Sequence, residues 1–363
     1  MKVLYKLLVA FSIILLPSTL LAAGANEKVK RIVKSYGISK STYVEIENKY
    51  GDIDVEVWDK DSIKLEIVIT VHSDKEEELD EMLKLINIDL SANSSFVIAH
   101  TDWSSDVNIF KKSLLKINQE VSNKGRYNVN YKIKMPRDLD LTLTNKFGNI
   151  FMTNYVGKLS INISYGDLRA HSLTNLKELN AKYGKVKINS LQNGRIDLNS
   201  VKPFSIDKAL DLEVESSSSE ISIEFIAKLN IKSSHDELNI DQIDELNGTF
   251  SMSDLMIMNL KKSIHSLSKY GSMKLKYILP TADVVYLEGS KTDMQVTVAK
   301  DFKSKVDVRM SSKDDFTYTP DFILESSDVD SEGIWHGLGY INQKGNAEIT
   351  IKSTNGYFQL DNK

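Results

Sequence analysis

Three acidic side chains, Glu220, Glu237 and Asp254, recur at an interval of 17 residues. Carboxylates are hard oxygen ligands, so a column of them suits a divalent cation such as calcium. Stacked ~5 Å apart, like charges repel by roughly 1 kcal/mol even in a water-like dielectric, and a shared cation would relieve that. Turn carboxylates splayed into water relieve it too. This plainer reading is preferred, because exposed acids are weak markers of a site. The three acids stand as cation candidates only, and no cofactor is expected. Asp328, Asp330 and Glu332 form a second acidic run, but Gly333 follows the third acid at once and no acidic twelfth residue completes a calcium loop. His72, His100, His171, His235, His265 and His336 show no pair at metal-ligand spacing and no neighbouring nucleophile motif. No catalytic residue is assigned, and the chain reads as non-enzymatic.

Two further columns could carry binding. Lys49, Lys146, Ser164, Lys182, Ser200, Ser217, Ser234, Ser251 and Lys269 share one position, and Tyr50, Phe147, Tyr165, Tyr183 and Tyr270 stand beside it. A Ser and Lys ladder suits glycans along one face, yet it equally satisfies backbone groups at corners. Rings pointing outward would make a sugar-binding strip. Semi-buried corner packing is preferred, since aromatic side chains gain most from burial.

The elements that position these columns are read from a repeat. The turn positions Gly51, Gly148, Gly166, Gly184, Lys202, Ser219, Asp236, Ser253 and Gly271 are separated, from Gly148 onward, by 17 or 18 residues. Two and four residues later stand Ile53/Val55, Ile150/Met152, Leu168/Ala170, Val186/Ile188, Phe204/Ile206, Ile221/Ile223, Leu238/Ile240, Leu255/Ile257 and Met273/Leu275, all apolar. The residues between are mostly polar, the period of two that buries one strand face. A third inward position falls seven after each turn, from Trp58 and Tyr155 to Ile278. The chain is therefore expected to be all-β, a right-handed parallel β-solenoid of 17–18 residues per coil. In the coil ending at Lys202 the pair Ile196 and Leu198 falls one residue out of phase, which points to a bulge or wider corner. The glycines are explained by turning the chain.

Residues 26–138 read as an N-terminal capping region of strands and one amphipathic helix. Ser73 and Glu76 suggest a capping box, and Leu79, Met82, Leu83 and Ile86 recur at helical spacing. Tyr127 to Met135 alternates as a strand that stops at Pro136. The solenoid occupies 139–300. Residues 301–363 read as irregular with closing strands: Ser311 to Gly339 is acidic and unpatterned, while Gly356, Phe358 and Leu360 repeat the turn spacing once more.

Lys2 and Lys6, the apolar run Leu7–Leu16 and the small residues Ala22, Ala23, Gly24 and Ala25 read as a secretory signal peptide over 1–25, cleaved after Ala23 or Ala25. The run is too short for a transmembrane helix, and no later stretch is long enough, so no transmembrane segment is expected after its removal. With no cysteine, neither a disulfide framework nor a lipid-modified cysteine is possible. The formal charge is −4 and becomes more negative once the leader is removed, which makes nucleic acid an unsuitable partner.

The phrases VEIENKYGDIDVEVWDKDSIKLEI and VNYKIKMPRDLDLTLTNKFGNIFM, with the units SYGDLRA, KYGKVKI and KYGSMKL, resemble a bacterial family of exported β-strand-repeat proteins known as putative adhesins and otherwise as a domain of unknown function. The resemblance spans roughly 41–360. It implies a parallel β-solenoid, an envelope or extracellular location and no known catalytic residues. The expected function is a non-enzymatic binding module of the cell envelope or surface, exported to the periplasm, outer envelope or medium, with a glycan or protein as ligand. Two rivals stand beside it. One is a polysaccharide-acting enzyme on a parallel β-helix, which would need a cleft built by long inserted loops, and none is expected among the uniform turns here. The other is a structural scaffold assembling end to end.

Overall fold

The computed structural model describes residues 26–103 and 126–363, and the expected signal peptide lies outside them. Among the described residues the chain is mostly β, with one α-helix and a single large sheet of mixed, mostly parallel pairing that does not close on itself.

The N-terminal part comprises β1 (Asn26–Gly37), β2 (Tyr43–Lys49), β3 (Ile53–Val57), β4 (Ser62–Ser73), α1 (Glu76–Lys84), β5 (Ile86–Ala92), β6 (Phe96–Trp103) and β7 (Tyr127–Met135). β8 (Asp140–Lys146) and β9 (Ile150–Ser164) follow. β2 lies between β6 and β8, and β3 between β7 and β9, all in parallel. Gly51 and Gly148 are therefore stacked neighbours, although an insertion separates them in sequence. The insertion then turns antiparallel: β4 pairs with β7 and β1, and β5 pairs with β6. Helix α1 buries Leu79 and Met82. Its N-cap is Lys75, without a side-chain cap, so the expected capping box does not form. Ser73 instead accepts the Lys75 N–H and donates to Glu78. Ile86 has already passed into β5.

The repeats proper run through β9, β10 (Leu168–Ser217), β11 (Glu220–Ser234), β12 (Glu237–Ile278) and β13 (Val284–Val298). β10 is not one straight strand: its 50 residues would extend ~165 Å at ~3.3 Å each. Tyr183 and Ser200, at φ 53° and 55°, turn it, and Asn189 donates to Asp207, 18 residues on. Parallel registers place Leu168 opposite Ile150, Phe204 opposite Ile221 and Leu238 opposite Ile221. All eighteen paired inward residues are buried. The third column is buried from Tyr155 onward, and Trp58 is half-buried. At ~25 cal/mol per Å², burial of these columns stabilises the stack together with the second buried strand of each coil, as at Leu159, Ile161 and Ile163.

The turn position expected at Lys202 falls one residue earlier, directly after the left-handed Ser200. Val201, fully buried, stands where the glycines stand, and its N–H donates to Ser219 Oγ. Lys202 comes one residue late, and the extra residue before Phe204 restores the pairing. The corner anomaly expected near Leu198 is this insertion.

The final part comprises β14 (Ser304–Met310), β15 (Phe316–Tyr318), β16 (Phe322–Val329), β17 (Trp335–Ile341), β18 (Ala347–Thr354) and β19 (Phe358–Asn362). β18 and β19 continue the parallel stack on β13, and β14 pairs with β18. The stretch 311–339, expected as irregular, carries β15 and the antiparallel pair β16–β17, with β17 added to β14. Its pattern was hidden because glycines sit where apolar residues would mark the inward face. A Cβ on Gly337 would lie 2.3 Å from the Trp335 ring, which covers that position instead.

Candidate functional site: the outward turn columns

Each repeat turns at the residue before the glycine position. Tyr50, Phe147, Tyr165, Tyr183, Ser200, Ser218, His235, Met252 and Tyr270 all adopt φ between 51° and 64°. Such left-handed backbone is uncommon for residues other than glycine. The glycines themselves serve close approach. A Cβ on Gly148, Gly166 or Gly184 would fall 1.9, 1.9 or 2.0 Å from the carbonyl oxygen of the glycine one layer earlier. Turning alone therefore does not account for them.

The left-handed column carries an aromatic ladder. Tyr50, Phe147, Tyr165 and Tyr183 stack with successive centroid distances of 5.2, 5.0 and 4.9 Å. Tyr50 is buried, with Trp103 edge-on to it. Tyr165 and Tyr183 are 45% and 49% exposed, so the ladder emerges onto the surface as it rises. Lys49, Lys146 and Lys269 of the adjacent column place their ammonium groups over Tyr50, Phe147 and Tyr270. Semi-buried packing thus describes the base of the ladder, and an outward strip describes its upper end.

Beside it runs a ladder of side chains that accept backbone N–H groups. Asp52, Asn149 and Asp167 accept the amides of Asn149, Asp167 and Lys185, each one layer on. Where glycine is replaced, the ladder reverses: Ser219, Asp236 and Ser253 accept the amides of Val201, Ser219 and Asp236 in the layer before. Asp236 is buried and also accepts from Ser233 Oγ and the Ser234 N–H. Buried polar groups must be paired, so these side chains hold the corners in register. Sequence reasoning found the positions of Ser219, Asp236 and Ser253 but not this role, since serine and aspartate suit any turn.

The acidic candidates lie on successive layers, with Glu220 directly opposite Glu237. Glu220 has Lys202 at 3.6 Å, Glu237 accepts from Asn239, and Asp254 accepts from Ser272. Among the described residues no three His, Asp or Glu side chains are grouped to hold a metal ion. Asp328 faces His336, which also contacts Asp307. Asp330 caps its own loop by accepting the Glu332 and Ile334 amides.

That loop, between β16 and β17, rises over the outward face of β13 and β18. It encloses an open cleft of about 500 Å³. Lys269, Glu288, Arg309 and Lys352 line its wall. Lys352 lies over the Tyr286 ring, and Tyr286 donates to Glu288. Sequence reading expected no inserted loop capable of building a cleft, because this hairpin was not recognised. The strongest tyrosine shifts lie elsewhere, in the core. Burial pushes Tyr131 up to about 12, partly offset by its hydrogen bond with Thr101. Burial also raises Tyr155, whose hydroxyl donates to the Leu139 carbonyl.

No family model and no curated protein matches this chain. Among solved structures it is similar to a putative adhesin from Parabacteroides distasonis, at 10% identity over 74% of this chain and 97% of that one, with a TM-score of 0.33. A putative adhesin from Parabacteroides merdae shares 11% identity over 73% of this chain and 95% of that one, with a TM-score of 0.36. A structure described as a putative lipid binding protein from Parabacteroides distasonis shares 14% identity over 74% and 96%, with a TM-score of 0.33.

Proposed function

We propose that the chain is an exported, non-enzymatic binding module of the cell envelope or surface, wound as a right-handed parallel β-solenoid. The observation that carries this reading is the recurrence of equivalent outward positions on successive repeats, paired in parallel register across β10, β11 and β12. The same residue position returns every ~4.8 Å, so a ligand of repeating or extended shape meets many weak contacts at once. The site-bearing side chains also favour binding over chemistry. Asp330 is committed to its loop amides and Glu288 to Tyr286, rather than being poised as an acid and base pair.

The test uses the mature chain, without residues 1–25, immobilised and exposed to solubilised envelope fractions and to intact cells. Saturable retention of an envelope component supports the reading. Turnover of a polysaccharide without stable retention contradicts it. Mass spectrometry of the native protein checks export, with an N-terminus at Gly24 or Asn26 expected.

A further inference from the structure

We infer that the break in the aromatic ladder above Tyr183 is a saccharide-binding notch, a proposal that rests on the binding-module reading and names its ligand class. Along the ladder each ring covers the face of the next. The column then passes to Ser200 and Ser218, which carry no ring, before an imidazole returns at His235. Tyr183 consequently stacks on Tyr165 by one face and leaves the other open, at 49% exposure. His235 is exposed, with its Nδ1 2.9 Å from Ser234 Oγ.

Three layers at ~4.8 Å separate Tyr183 from His235 by about 14 Å. Two rings are missing from a ladder whose spacing is 4.9 to 5.2 Å. The space therefore suits ring-shaped groups that stack at about that spacing. Its floor consists of the half-buried Ser200 and Ser218, with Ser200 Oγ donating to Asn199, and Lys182 and Lys202 stand exposed beside it. A pyranose ring offers a face of polarised C–H groups, which the negative face of a tyrosine ring attracts, and a rim of hydroxyls that require donors and acceptors. Serine, asparagine and lysine supply these. An aromatic side chain from another protein would cover Tyr183 but make no hydrogen bond with the serine hydroxyls or the lysines that surround it.

The substitution Ser200→Tyr tests the notch from the inside. Tyr165 and Tyr183 already adopt the same left-handed backbone as Ser200, at φ 58°, 53° and 55°, so the added ring continues the ladder and fills the space. Binding of the mature chain to a soluble β-glucan, chitin oligosaccharides and a polyuronate is measured by calorimetry, with melting temperatures recorded for each variant. At least one polymer is expected to bind. Tyr183→Ala should weaken it by about tenfold or more, Tyr183→Phe should retain it, and Ser200→Tyr should abolish it without lowering the melting temperature. Unchanged saccharide binding in both Ser200→Tyr and Tyr183→Ala overturns the notch while leaving the binding module intact. Envelope-protein capture with no saccharide bound overturns the ligand class alone.

Discussion

The Cβ position of Gly184 lies 2.0 Å from the carbonyl oxygen of Gly166, and that of Gly166 lies 1.9 Å from the carbonyl oxygen of Gly148. No side chain fits between layers this close, so the glycines fix the approach of successive turns and, through it, the stacking of Tyr165 on Tyr183.

Gly184→Ala should destabilise the protein by about 2 to 3 kcal/mol, because backbone on the facing layer must shift to admit a methyl group. Gly37→Ala is the control: nothing lies within 4 Å of its Cβ position. It should leave the urea midpoint unchanged or slightly raised. Equal losses at both sites would show that close approach is not the reason for glycine.

Asp236→Ala should cost about 3 kcal/mol, since it strands the Ser219 and Ser234 amides in a buried corner. Asp254→Ala, one layer on but exposed, should stay within about 0.5 kcal/mol. Denaturant unfolding of the two variants measures the difference.

The inward face was legible because valine, isoleucine and leucine mark it at a period of two. The corners were not. Serine and aspartate at positions 219, 236 and 253 look like ordinary turn residues until Val201 and Ser219 are seen donating to them. The β16–β17 hairpin escaped for another reason: Gly337 and Gly339 yield their inward space to the rings of Trp335 and Phe322, so no apolar alternation remains to be read. The aromatic ladder was visible as a column of residue types. Whether its rings faced in or out depended on the left-handed turn, which residue type alone does not specify.

Calcium at millimolar concentration should leave the melting temperature unchanged, because Glu220, Glu237 and Asp254 each have their own partner in Lys202, Asn239 and Ser272. A shared cation would instead raise it by an amount set by concentration over Kd, and Glu237→Gln would remove that gain. Differential scanning of both proteins, with and without calcium, distinguishes the cases.

Tyr131 should confer alkaline sensitivity. Burial raises its folded-state value to about 12, above the unfolded value near 10, so the folded state holds this proton more tightly. Its contribution is fully present below about pH 10 and is lost as pH rises towards about 12. Tyr131→Phe should flatten the fall in stability across that window, as read from denaturant midpoints against pH.

A stack of interchangeable layers held in register should tolerate the deletion of one whole layer. Removing residues 219–235 joins Ser218 to Asp236 and preserves the 17-residue phase of the remaining repeats. Because neighbouring layers supply most of the contacts in such a stack, the shortened chain should fold cooperatively with an unchanged β-type circular dichroism spectrum. Removing residues 219–227 instead breaks the phase and should leave the chain unfolded or aggregated. Equal disruption by the two deletions would show that the layers are not interchangeable.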